Sequence, residues 1–306
     1  QIKVANGETL SFTQEDLKTA LYKYASDEFQ GRETGEPGQK LAVEFLKNHY
    51  IKYGIPAAKK DGDYFQNVPL EVMSPPDVKL SINGKDFSAT DHLVSVAGGE
   101  TNTLTASDFV YASYGIEDEK YSNYANIDVK GKVVVIKSGE PKNADGTYLI
   151  SGNSEDSKWS EFRQQYALKR DLAKERGAVA VLFYYPEVFP MARMRFGTST
   201  GRMSLLGKND NMYYFIMGED LAKSLVNDIE TNDDSRVIKG NMTLDFKKKS
   251  KSISSENVAA YIKGSEKPDE VIVISAHLDH EGVKNGEIYN GADDDGSGTV
   301  AILEIA

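Results

Sequence analysis

Apolar residues first recur at helical spacing in Leu17, Ala20, Leu21 and Tyr24, behind Thr13 and Asp16, a pair whose three-residue separation marks a helix start. Leu41, Ala42, Phe45, Leu46 and Tyr50 repeat the period and predict a second amphipathic helix, stopped by Gly54 and Pro56. Between Tyr64 and Val96 the alternation is short and broken by Pro75-Pro76 and Asn83-Gly84, which predicts small edge strands with a hairpin before Phe87. The pattern changes near residue 104. Residues 108–111 and 132–137 read as strands, residues 159–176 as a helix capped by Gly177, and residues 178–183 as a further apolar strand, which together make an α/β unit. A helix near residues 219–229, the acidic turn at residues 232–234 and a lysine-rich run at residues 247–251, read as a solvated linker, close that unit. Beyond it, residues 258–262 and 271–276 predict two strands. The second is almost wholly apolar and reads as central, and a helix begins at Ser297.

These changes of pattern divide the chain at about residues 104 and 245. Three segments follow: 1–103, 104–245 and 246–306. At 306 residues the chain has room for two or three domains without disulfide staples, and its 40% hydrophobic and 27% charged composition is that of a folded globular protein. The longest apolar run, residues 178–185, is far short of the roughly 20 residues that cross a bilayer. A net charge of −11 repels phosphate backbones and anionic lipid, so nucleic acid is not an expected partner. With no cysteine, thiol catalysis and cysteine-held zinc are excluded, while the compartment stays open. The start at Gln1, without a methionine or an apolar signal core, suggests a trimmed product.

Chemistry gathers near the end. Two of the four histidines, His277 and His280, follow directly on the most apolar strand. On an extended chain His277 and Asp279 face one side, beyond the carboxyl edge of the sheet, where Asp279 is placed to orient a metal-bound imidazole. Then comes Gly291-Ala292-Asp293-Asp294-Asp295-Gly296-Ser297-Gly298, three mutually repelling carboxylates in a glycine-framed turn that opens a helix. A divalent cation relieves that repulsion; favourable placement of acids at a helix N-terminus is the bland alternative. An EF-hand loop fails on spacing, since Gly291 and Ile302 stand where acids are needed. The His-Glu-x-x-His zinc motif fails because Lys284 replaces its second histidine. His49 and His92 read as ordinary surface or core histidines. His280 reads as lining the site without binding metal.

The runs Ser275-Ala276-His277-Leu278-Asp279-His280-Glu281-Gly282 and Ile288-Tyr289-Asn290-Gly291-Ala292-Asp293-Asp294-Asp295-Gly296-Ser297-Gly298 resemble those of family M28 zinc aminopeptidases. Upstream, Phe29-Gln30-Gly31-Arg32-Glu33-Thr34-Gly35 resembles the opening segment of those enzymes. Tyr114-Gly115-Ile116, Gly131-Lys132-Val133-Val134 and Gly177-Ala178 resemble a protease-associated (PA) insert. The resemblance implies an α/β fold: a three-layer αβα zinc-peptidase domain, incomplete here, with a PA domain inserted at 104–245. It implies two Zn2+ ions, with His277 a ligand to one, Asp293 bridging both, Asp279 orienting His277, and a cis peptide between Asp293 and Asp294. The implied reaction is removal of N-terminal residues from peptides or proteins by a metal-activated water, in a protein exported to the periplasm, the outer membrane or the medium. The family's Glu-Glu pair, later acidic ligand and last histidine have no counterpart before Ala306, so the chain is expected to be a truncated form, inactive alone. A carboxypeptidase, a glutaminyl cyclase-like enzyme and, from another class, a PA-type binding module or receptor-like ectodomain are the alternatives.

Overall fold

The first helix begins where its cap predicts. Thr13 Oγ1 accepts from the Asp16 backbone N–H while the Asp16 carboxylate accepts from the Thr13 backbone N–H at 2.7 Å, a closed capping box. The computed structural model describes residues 2–3, 9–10, 13–198, 202–207 and 212–306. In chain order, the short pair β1 (Ile2–Lys3) and β2 (Thr9–Leu10) precedes α1 (Gln14–Tyr24), a 3-10 turn at Asp27–Arg32 and α2 (Pro37–Lys52). Next come β3 (Phe65–Ile82), β4 (Lys85–Ser88), β5 (Leu93–Ala97), β6 (Asn102–Tyr111), β7 (Glu117–Asp118), β8 (Tyr121–Ser122) and β9 (Val133–Lys137). They lead to α3 (Gln164–Glu175), β10 (Ala180–Tyr184), α4 (Phe189–Gly197), β11 (Arg202–Leu205), β12 (Tyr213–Met217) and α5 (Glu219–Leu225). The long β13 (Arg236–Val258), the hairpin β14 (Gly282–Lys284) and β15 (Glu287–Tyr289), and α6 (Ser297–Ile305) complete the mixed α/β chain.

Two compact units result: residues 1–70 with 252–306, and residues 71–251. The larger one exceeds the 104–245 segment marked by composition, because β5 pairs antiparallel with β12 and β4 pairs with β3. At its centre β6, β9, β10 and β12 run parallel, with Val133 opposite Ala180 and Ala180 opposite Tyr213. Every residue of β9, β10 and β12 is buried, as a parallel strand covered on both faces requires. Alternate side chains serve the two faces. Val133, Val135, Leu182 and Phe215 pack with Leu221, Ala222 and Leu225 of α5; Val134, Ile136, Val181 and Tyr214 pack with Ala173 of α3 and Ala192 of α4. The predicted strand–helix–strand unit is therefore a three-layer sandwich.

The smaller unit packs α1, α2 and α6 around Tyr24, Phe29, Ala42, Leu46, Val300 and Leu303. Tyr24, Phe29 and Phe45 form a triad with ring centroids 5.7 Å apart.

Four expectations are corrected. Residues 247–251 are not a linker but part of β13: Lys248 is ion-paired to the buried Glu71 at 2.8 Å and to Glu100 at 3.1 Å, so strand pairing and neutralisation overcome the local charge. Residues 65–82 form one long strand through Pro75-Pro76, whose fixed φ is compatible with an extended chain, while Asn83-Gly84 makes the predicted hairpin with positive φ at both positions. Residues 271–276 are not a central strand. They make no backbone hydrogen bond among the described residues, and Val271, Ile272, Val273 and Ile274 are 60–90% exposed, because no neighbouring strand lies beside them. Likewise residues 258–262 keep only the end of β13 and an isolated bridge from Ala260 to Ala57.

Leu182 is 1% exposed in the middle of the parallel sheet. Leu182→Ala is expected to cost about 2–5 kcal/mol in urea unfolding, against less than about 1 kcal/mol for Val237→Ala on an exposed strand position.

Candidate metal centre

The site is assembled on one buried cation in the smaller unit. Arg32, fully buried, donates from Nε to the Leu278 carbonyl (3.0 Å), from Nη1 to the carbonyls of Tyr24 (3.0 Å) and Asn290 (2.7 Å), and from Nη2 to that of Gly291 (2.8 Å). It thereby holds the two histidine- and aspartate-bearing segments to each other. The Tyr24 ring lies 4.5 Å below the guanidinium, and the Tyr24 hydroxyl donates to the same Leu278 carbonyl at 2.9 Å. Burial pushes the Tyr24 phenol well above its usual pKa, so it acts as a neutral donor. The turn that delivers Arg32 has positive φ at Gln30, Gly31 and Arg32. Gly31 is required there: a Cβ would sit 2.5 Å from the Tyr289 carbonyl oxygen and 2.6 Å from that of Gly282.

On this frame His277 projects from residues that have no regular structure, its carbonyl held by the Thr299 hydroxyl at 3.0 Å. Its Nδ1–H donates to the Asp279 backbone carbonyl at 3.0 Å, while the Asp279 carboxylate stands farther off, at 3.6 Å, and accepts from the Thr34 hydroxyl. Its Nε2 faces Asp294 Oδ1 at 2.9 Å. Partial burial lowers the His277 pKa, but the Asp279 carbonyl and the Asp294 carboxylate outweigh it and leave the imidazole above the usual histidine value. The site is open, with His277 52% and Asp294 74% exposed at their side chains.

Of the residues marked by sequence, His277 and Asp279 are brought together; Asp293 is not brought to them. Among the described residues its side chain makes no hydrogen bond, and its backbone carbonyl accepts from the Ser297 hydroxyl at 3.2 Å. Residues 292–296 wind as a π turn from which Asp294 and Asp295 depart, with φ −109° and −119°, and this turns Asp294 towards the imidazole. The cis peptide expected at Asp293–Asp294 lies one bond on, at Asp294–Asp295. Asp295 Oδ1 instead accepts from the Gly298 N–H at 3.2 Å, as an acid at a helix start does. His280 donates its backbone N–H to the Arg32 carbonyl at 3.2 Å, and its ring lies against Gly291. His49 sits on α2 beside the Tyr53 ring, and His92 accepts from the Ser88 N–H in the turn after β4.

Residues 257–306 match the model of peptidase family M28. The matched segment is similar to that family. It contains His277, Asp279 and all three acids of the turn. Among solved structures, the chain is similar to an aminopeptidase from Aneurinibacillus sp. strain AM-1, with 20% identity and TM-score 0.44 over 95% of this chain and 57% of that one. It is similar to BSAP, a zinc aminopeptidase from Bacillus subtilis, with 18% identity and TM-score 0.35 over 97% and 58% of the respective chains. For a Peptidase M28 precursor from Shewanella amazonensis SB2B the values are 18%, 0.30, 94% and 62%. The chain thus spans less than two thirds of the length of each of these proteins. It has no match among the curated proteins. Among the described residues no helix is long and apolar enough to cross a membrane.

Arg32 and Thr34, which frame the matched segment from outside it, carry no chemistry-bearing spacing of their own; what marked them was their place in the run Phe29–Gly35 that resembles the family's opening segment, an arginine in a glycine-flanked turn. Arg32→Met removes a donor from four carbonyls, of which those of Leu278 and Gly291 keep the Tyr24 hydroxyl and the Gly296 N–H while those of Tyr24 and Asn290 lose theirs, and is expected to lower stability by about 3 kcal/mol in urea, with Arg32→Lys recovering less than half, since an ammonium cannot span the same fork. Faster hydrogen exchange of residues 278–291 in Arg32→Met is the accompanying readout.

Proposed function

We propose that the chain is the metal-site-bearing part of a zinc aminopeptidase, with His277 and Asp294 as metal ligands and Asp279 and Thr34 as their positioning partners. The observation that carries this reading is the 2.9 Å approach of His277 Nε2 to Asp294 Oδ1 inside the segment that matches family M28. The donor set fits zinc: an imidazole nitrogen and a carboxylate oxygen converge, and the hydrogen bond from Nδ1–H keeps the Nε2 lone pair for a ligand. In this reading Asp294 would take the ligand role that the family resemblance implied for Asp293. When bound there, zinc supplies a Lewis acid and lowers the pKa of a bound water.

The chain's own part is to aim these two donors and to hold their loops through Arg32. Among the described residues no group of three or more His, Asp or Glu side chains converges, whereas a catalytic zinc takes three protein ligands. Residues 1–306 therefore bind zinc weakly and turn over no peptide alone; the second zinc and the full reaction on peptide N-termini need donors that these residues do not supply. In this reading the unit of residues 71–251 is the PA-like insert.

Zinc titration against a chromophoric chelator is expected to show about tenfold weaker binding in His277→Ala and Asp294→Asn, with Asp293→Asn close to the parent chain. Loss on Asp293→Asn with Asp294→Asn unaffected would return the ligand role to Asp293, and equal binding by all variants would remove the site. Zinc-dependent release of p-nitroaniline from leucine p-nitroanilide by residues 1–306 would overturn the predicted inactivity.

A further inference from the structure

The dipeptide Asn-Gly occurs four times in the chain, at residues 6–7, 83–84, 285–286 and 290–291, and the last three copies lie among the described residues. With no Cβ on the glycine to shield it, the backbone nitrogen after the asparagine can reach the side-chain carbonyl carbon. The three described copies share that chemistry and differ in what holds the amide.

Asn83-Gly84 and Asn285-Gly286 are alike even in backbone. Each turns a two-residue hairpin with both residues at positive φ, 49° and 82° in the first, 54° and 82° in the second. Asn83 is nevertheless tied down. Its Oδ1 accepts from the Asn241 N–H at 2.9 Å, its own N–H donates to the Asn241 carbonyl at 2.8 Å, and the strands beside it belong to the nine-stranded sheet, with Ile82 and Phe87 buried. Asn290 is held as well: its Nδ2 donates to Asp27 Oδ1 at 2.7 Å, its amide oxygen is buried, and its backbone carbonyl is one of those that Arg32 grips. Asn285 has no such anchor. Among the described residues its side chain makes no hydrogen bond, residues 283–287 are all exposed, and β14 and β15 form a separate sheet of two three-residue strands. A hairpin of that size is marginal by itself and opens at little cost.

We propose that Asn285 is a site of spontaneous covalent modification, converted to aspartate and isoaspartate through a succinimide, while the fold protects Asn83 and Asn290. The Gly286 backbone nitrogen bonds to the Asn285 side-chain carbonyl carbon and loses its proton, and the amide nitrogen leaves as ammonia. Water then opens the ring at either carbonyl, so that one water is consumed and one ammonia released, and a neutral amide becomes a carboxylate. Opening at the main-chain carbonyl gives isoaspartate and routes the backbone through the former side chain, one atom longer. The two-residue turn then no longer fits the pairing of Lys284 with Glu287 and Val283 with Ile288. That hairpin joins the His277 segment to the Asp294 segment, and Gly31 is seated against its Gly282 and Tyr289 carbonyls. The modification goes beyond the peptidase reading and needs no metal.

The test is incubation of the 306-residue chain at mildly alkaline pH, followed by proteolysis and mass spectrometry that scores replacement of the amide by a carboxyl at each asparagine. Trypsin leaves Asn285 and Asn290 in one peptide, so the two are resolved by fragmentation; Asn6 is scored separately. In the folded chain Asn285 is expected to react about tenfold or more faster than Asn83 and Asn290, a ratio set by the cost of opening each site. In urea the three rates should converge to within a few-fold, which shows that the fold and not the neighbouring residues makes the difference. Asn285→Gly, which suits the same turn, should abolish the modification in the hairpin without altering the rate at Asn83. The isoaspartate fraction, separated chromatographically, should show faster hydrogen exchange at residues 283–288. The proposal fails if Asn83 or Asn290 reacts as fast as Asn285 in the folded chain, if Asn285 stays intact there while it reacts in urea, or if the ratio persists in urea. Unchanged exchange in the isoaspartate fraction would overturn its effect on the hairpin.

Discussion

The smaller unit depends on a cation that makes no ion pair with a carboxylate among the described residues. Arg32 is fully buried, and its charge is met by four backbone carbonyls and the face of Tyr24. Carbonyl dipoles are fixed by the backbone, so this arrangement specifies where residues 278, 290 and 291 lie in a way that a flexible carboxylate could not. Position and charge satisfaction are here the same constraint: none of the loops can move without leaving either the guanidinium or its own carbonyl unpaired. His277 and Asp294 inherit their spacing from that constraint, since each is one to three residues from a carbonyl that Arg32 holds.

The larger unit is organised by the opposite principle. Its centre is held by five-residue strands buried on both faces, where odd and even positions serve different helices, and polar groups enter only at the margins. A deeply buried lysine beside those strands, Lys169, donates to the carbonyls of Lys137 and Gly139, and burial drives its pKa well below that of an ordinary lysine. Both units thus satisfy a buried cation with main-chain oxygen.

Much of this was legible in the residues themselves. Thr13 and Asp16 announce a cap, Asn83-Gly84 a hairpin, and the uninterrupted apolar runs around Val135 and Leu182 a doubly covered parallel sheet, because each is a local rule that nothing else in the fold contradicts. His277 stood out for the same reason, as a titratable group at the end of an apolar run. What the residues could not reveal depended on distant partners. Lys248 looks solvated until Glu71 and Glu100 are brought to it, and residues 271–276 look central until one asks what lies beside them. The choice between Asp293 and Asp294 turns on a single residue of phase in a turn that leaves helical geometry, and spacing alone carries no information about that phase. Arg32 was hidden because carbonyl recognition leaves no signature in side-chain composition.

The exposed run Val271-Ile272-Val273-Ile274 also bears on how the chain behaves in concentrated solution. Four consecutive β-branched residues, uncharged, free of proline and with no backbone pairing among the described residues, have the composition from which cross-β stacks nucleate. Lys267, Asp269 and Glu270 on one side and His277 and Asp279 on the other are the charges that flank it, and they oppose stacking only while they remain ionised and unscreened. The same few residues therefore tie the colloidal behaviour of the chain to ionic strength.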